Sequence, residues 1–103
     1  MAERVIIWTK TAASQRREIL RYWVRKTHST GYSKKLIKEI SNRTKIIALN
    51  PESFVCTNYP ATRISAMGHY SILYKYDSEK IYITAFWDNR QDPKKLIHLI
   101  SKY

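Results

Sequence analysis

The segment from Ile81 to Leu96 constrains the fold most. Ile81, Ile83, Ala85 and Trp87 alternate with Tyr82, Thr84, Phe86 and Asp88, which is the period of two of a strand with both faces largely apolar. Asn89 ends it. Asp92 can accept hydrogen bonds from the free N–H groups of a new helix, and Pro93 suits a helix start. The spacing therefore predicts a C-terminal helix with Leu96, Leu99, Ile100 and Tyr103 on one face. Arg90 is set between a sheet edge and that helix start, held in place yet open to solvent.

Upstream, Arg4 to Trp8 reads as a short strand rich in β-branched residues. A helix follows, capped by Thr9 or Thr11, with Ile19, Leu20, Trp23 and Val24 as its apolar stripe; Gly31 breaks it. A second helix from about Ser33 to Leu49 carries Leu36, Ile37, Ile40, Thr44, Ile47 and Ala48 on one face. Asn50-Pro51 ends it, because a residue before proline avoids helical angles. An irregular stretch runs to Pro60. Ala61 to Met67 and Tyr70 to Tyr76 then read as strands joined at Gly68, and Asp77 to Lys80 turns the chain into the last strand. The order β-α-α-β-β-β-α predicts one α+β domain over residues 1–103. Its N-terminal strand leads into an antiparallel helical hairpin packed on an antiparallel sheet, and a C-terminal helix closes it.

Composition narrows the function. Nineteen Lys and Arg against eight Asp and Glu give a formal net charge of +11, which points to a polyanionic partner: nucleic acid, ribosome or an acidic protein. A hydrophobic content of 44%, 13% of the chain being aromatic, is enough for a core, so this charge decorates a folded domain. No apolar run approaches the roughly 20 residues that span a bilayer, and the start is too short and charged for a secretory signal; no membrane association and a cytoplasmic location are expected. Cys56 alone excludes an internal disulfide. The separated His28, His69 and His98 give a metal site little support, so no metal and no cofactor are expected.

The order and spacing of several pieces resemble the RelE/ParE superfamily of bacterial toxins, the toxic halves of type II toxin-antitoxin modules. These are Val5-Ile6-Ile7-Trp8 followed by Thr11-Ala12-Ala13, the basic helical hairpin, Asn50-Pro51, and Arg63 in the second strand. The strand Gly68-His69-Tyr70-Ser71-Ile72-Leu73-Tyr74 and the closing Trp87-Asp88-Asn89-Arg90-Gln91-Asp92-Pro93-Lys94-Lys95-Leu96 complete the set. The resemblance implies a small acidic antitoxin as partner in a hetero-oligomer. It also implies one of two actions: RelE-like members cut messenger RNA on the ribosome without metal, whereas ParE-like members poison DNA gyrase through protein contacts.

The two actions call for different residues. Metal-free cleavage needs groups that move protons and neutralise charge on phosphorus. RelE-like nucleases carry an Arg directly after the aromatic of the third strand, where this chain has Ser71, so a cleaving mechanism would need Arg90 together with Arg63, His69 or Lys75 in place of that Arg. Arg90 can clamp a phosphate, or it can pair with Asp88 or Asp92. The closing segment looks more like the ParE branch, which makes Arg90, Lys94, Lys95 and His98 the residues expected to touch the target. In the hairpin only Glu18 and Glu39 offset the cations, so Arg16, Arg17, Arg21, Lys34 and Lys38 are expected to bind the antitoxin. The ParE-like action is the leading expectation. Ribosome-dependent cleavage, or a non-toxic basic RNA-binding module, is the alternative.

Overall fold

The computed structural model describes residues 3–91 together with Lys94 and Lys95. Five strands form one sheet: β1 (Val5–Trp8), β2 (Val55–Cys56), β3 (Arg63–Met67), β4 (Tyr70–Tyr76) and β5 (Lys80–Asp88), in the order β1-β5-β4-β3-β2. Between β1 and β2 the chain forms two helices, α1 (Lys10–Thr27) and α2 (Gly31–Leu49), and a 3-10 turn at Pro51–Ser53. β3, β4 and β5 make the expected antiparallel meander. β1 lies parallel to β5, so the sheet is mixed, because a strand that returns through a helical hairpin can enter the sheet in the parallel sense. The C-terminal helix expected through Leu96, Leu99, Ile100 and Tyr103, with its cap at Asp92 and Pro93, lies outside the described residues. No helix among the described residues is long and apolar enough to cross a membrane.

Local chemistry sets the helix ends. Thr9 caps α1: its hydroxyl oxygen accepts the Ala12 N–H at 3.2 Å. α1 stops at His28, which takes a left-handed conformation at φ 54° and so cannot continue the helix. Gly31, expected as the breaker, is instead the first residue of α2. The hairpin is locked by the Ser33 hydroxyl, which donates to the Leu20 carbonyl at 2.8 Å. Asn50 ends α2 as the following proline demands.

The hairpin packs on one sheet face. Leu36, Ile40, Ile47 and Ala48 from α2 and Ala12 from α1 meet Tyr70, Ile72, Tyr74, Ile81, Ile83 and Phe86 from the two central strands. Truncating a fully buried aliphatic residue here, such as Ile72, costs about 2 to 5 kcal/mol. Leu73, Ala85 and Trp87 form a second cluster with Tyr59 and Ile64. Two residues assigned to the core stripes are corrected by the packing. Val24 and Ile37 are 36% and 50% exposed, because the stripe on each helix is wider than the face its neighbours cover.

Three further differences concern strands. Ala61 has φ 55°, which a strand cannot hold, so β3 starts at Arg63. β2 was not expected: two exposed residues carry no alternation, and pairing with Ile64 and Arg63 creates the strand. The alternation in β5 is interrupted as well. Tyr74 pairs with Ile83 but Leu73 pairs with Ala85, so Thr84 is one extra residue in the ladder. This bulge sends Ile81, Ile83 and Phe86 into the hairpin core and Ala85 and Trp87 into the second cluster.

Candidate functional site

The bulge also builds the closing corner. Because the register slips at Thr84, Phe86 and Asp88 share the face of Tyr70, their partners being Ile72 and Tyr70 on β4, and that face looks toward α1. Gln15 of α1 ties the two elements together by accepting the Phe86 N–H at 2.9 Å. The result is a groove of about 700 Å³ between α1 and the end of β5. Gln15, Glu18, Arg21, Tyr22 and Arg25 line it from α1; Tyr70, Phe86, Asp88, Arg90 and Gln91 line it from the sheet.

Arg90 is held at its rim by Asp88. One carboxylate oxygen accepts the Arg90 backbone N–H and the Nε–H, each at 2.9 Å, and the other accepts Nη2 at 2.8 Å. Of the pairings open to Arg90 in the sequence, the one with Asp88 is the one formed. The Arg90 guanidinium, chiefly through its hydrogen bonds, holds the Asp88 carboxyl below its ordinary value, and Asp88 in turn raises Arg90. Arg90 is 53% exposed, so a ligand can still reach it.

Tyr70 forms the groove's inner wall. It stacks on Phe86 with ring centroids 5.3 Å apart, and its oxygen accepts the Trp23 indole N–H at 2.6 Å. Burial pushes its phenol up, so it stays protonated. Tyr22 stands at the outer rim, 43% exposed, its ring in an edge-to-face pair with Trp23 and its hydroxyl accepting from the Lys26 ammonium at 3.2 Å.

The other residues singled out for RNA cleavage are distributed along the sheet. Ser71 is buried and donates to the Asn89 side-chain oxygen at 2.8 Å. His69 is exposed in the turn beside it, and its carbonyl accepts the Asn89 N–H at 2.8 Å, so His69 lies at the same end of the sheet as Arg90. Arg63 does not. It pairs with Tyr74, four residues along β4 from Tyr70, or about 13 Å at strand spacing. There its guanidinium donates to the Phe54 and Glu52 carbonyls at 2.6 and 3.1 Å. Lys94 and Lys95 are exposed, and His98 lies outside the described residues.

A second groove, of about 610 Å³, runs between the helices on the hairpin's outer side. Ala13, Leu20, Val24 and Ile37 give it an apolar floor, and Arg16, Arg17, Arg21, Arg25 and Lys34 surround it. Lys38 is exposed on α2 but does not line it. The Arg16 guanidinium is fixed 4.1 Å over the Trp8 ring, while Arg17, Arg21 and Lys34 are exposed. Tyr22 and Gln15 went unassigned from sequence because nothing in their spacing separates a groove wall from a core or solvent face. Among the described residues no group of three or more His, Cys, Asp and Glu is arranged to hold a metal ion.

The comparisons agree with this architecture. The family model for the ParE toxin of the type II toxin-antitoxin system parDE matches residues 6–93. Among solved structures, a chain of the chromosomal ParDE toxin-antitoxin system from P. aeruginosa superposes with a TM-score of 0.71 at 17% identity, over 84% of this chain and 96% of that one. At such identity the likeness concerns the fold. No curated protein sequence matches the chain. With a family model covering the elements from β1 through the Asp88 and Arg90 corner, the chain belongs to the ParE toxins of type II toxin-antitoxin systems.

Proposed function

We propose that this toxin stops growth by poisoning DNA gyrase through protein contacts at the closing corner, and that an acidic antitoxin segment on the helical hairpin neutralises it. Family membership implies the antitoxin partner. The wiring of the corner supports the gyrase reading. Asp88 grips Arg90 through both oxygens, Ser71 is turned onto Asn89, and Arg63 serves backbone carbonyls at the other end of the sheet. Cleavage of a phosphodiester would require cations and a proton carrier gathered around one phosphorus. The residues recruited for that role from the sequence are divided between two ends of the sheet. Poisoning needs a contact surface instead, and exposed Arg90, Lys94 and Lys95 supply one together with the aromatic rim at Tyr22.

The hairpin groove suits the antitoxin. Its apolar floor offers area to bury, and Arg16, Arg17, Arg21 and Lys34 offer cations to carboxylates around it, which is the complement of an acidic amphipathic segment.

Inducing the chain without antitoxin, then comparing DNA-damage signalling with primer-extension maps of transcript ends, tests the target. The reading predicts damage signalling with unchanged transcript ends. Codon-phased cuts in translated messages would overturn it in favour of ribosome-dependent cleavage.

A further inference from the structure

We propose that the closing-corner groove binds a segment of single-stranded nucleic acid, with a phosphate between Arg21, Arg25 and the Tyr70 phenol and a base on the Tyr22 ring. The site goes beyond the contact with gyrase and does not depend on which target the toxin poisons.

Charge gives the first reason. Arg21 and Arg25 stand one turn apart on α1 and both line the groove, so two like charges are held where an anion between them relieves their repulsion. Three guanidiniums against the carboxylates of Glu18 and Asp88 leave the groove net cationic, and Asp88 is already taken up by Arg90. The excess positive charge therefore lies on α1, where Arg21 and Arg25 face the single carboxylate of Glu18.

Tyr70 gives the second. Its side chain is almost fully buried, and its oxygen accepts from the Trp23 indole. Among the described residues no acceptor takes the phenol's own hydrogen. With its oxygen accepting from Trp23, the phenol O–H on the inner wall of a cationic groove is a donor suited to an oxyanion.

The rim separates a nucleic-acid strand from an acidic peptide. A carboxylate side chain would engage the arginines alone, whereas a nucleotide engages them through its phosphate and the exposed Tyr22 ring through its base. Tyr22 is held by its T-shaped pair with Trp23 and by a hydrogen bond from Lys26 at 3.2 Å to its hydroxyl, which fixes an exposed ring on which a base can stack. The groove, at about 700 Å³, has room for one or two nucleotides.

Fluorescence anisotropy of a labelled twelve-residue oligothymidylate, and of its ribo-uridylate counterpart, against the purified full chain tests the site. Binding of either strand supports it, and the tighter of the two identifies the source. Arg21→Ala with Arg25→Ala is expected to weaken binding about tenfold or more and to flatten the salt dependence by about one to two in slope. Lys45→Ala with Lys80→Ala, an equal loss of charge at exposed positions that do not line the groove, should change affinity less than about threefold. Tyr22→Ala should cost about five- to tenfold with the salt slope unchanged, and it serves as a second variant should the double one misfold. Equal losses in the two double variants would overturn the site in favour of diffuse charge. Displacement of the oligonucleotide by polyglutamate of equal charge would overturn it in favour of an acidic protein.

Discussion

The two grooves that flank Arg21 and Arg25 share a helix but differ in chemistry. On the outer side of the hairpin the floor is Leu20, Val24 and Ile37, and the surrounding charges are all cationic. On the sheet side the walls are the stacked rings of Tyr70 and Phe86, amides, and a cation already held by a carboxylate. One ridge of arginines thus faces a surface made for area burial and another made for oriented polar contact. A helix that covers a sheet with only part of its circumference can present two partners with two different faces.

The largest effect should come from separating these faces. Ile37 is 50% exposed, so Ile37→Asp leaves the fold in place while setting an anion on the apolar floor opposite an acidic partner. Antitoxin affinity, by calorimetry, is expected to fall about a hundredfold, with growth inhibition unchanged. Loss of both would mean that the two grooves form one surface.

Next is a change that should treat both faces alike. Tyr74 is fully buried, burial pushes its phenol up to about 12, and its hydroxyl donates to the Pro51 carbonyl. Tyr74→Phe removes that buried hydrogen bond and should cost about 1 kcal/mol in urea unfolding, without preference for toxin action or antitoxin binding. A selective loss of one activity would show that β4 serves that face directly.

Arg90→Ala is expected to raise colony survival after induction about tenfold while antitoxin affinity stays within about twofold, a smaller shift because the residue is a rim contact. Stability should barely move, since the pair with Asp88 is exposed on the Arg90 side and screened by solvent. Full toxicity in this variant would remove Arg90 from the target contact.

The smallest effect is in pH. Because Arg90 depresses the Asp88 carboxyl, the pair's contribution is present above the ordinary carboxylate range near about 4 and is lost as pH falls through the lower folded value. Acid melts of Asp88→Asn should therefore show a shallower decline than those of the parent chain, and equal slopes would mean that the pair does not form in solution.

Much of the scaffold was legible because its signals are local. Thr9 before a helical stripe, Asn50-Pro51, and the Gly68 turn at φ 66° each act through their own backbone, and each does so in the structure. The bulge at Thr84 was not legible. When both faces of a strand are apolar, a slip of one residue leaves the pattern unbroken, and only pairing with β4 reveals it. The candidate site inherited that blindness, since the bulge is what gives Asp88 the face of Tyr70. For Arg90 the sequence offered a clamp or an ion pair, and the positions of Asp88 and the backbone turn selected the pair. Arg63 and Arg90 are both basic and both near strand ends, but which end follows from register, which no spacing states. The missed rim residue Tyr22 sits between Arg21 and Trp23 on a helix. Its exposure depends on where the hairpin stops covering the sheet.

Gyrase incubated with relaxed plasmid, ATP and the purified full chain shows whether the toxin acts on this enzyme. The account predicts that linear, gyrase-cleaved DNA accumulates with toxin concentration, and that Arg90→Ala needs about tenfold more protein for the same yield. Supercoiling at the normal rate with no linear product, at toxin in clear excess over gyrase, would contradict it.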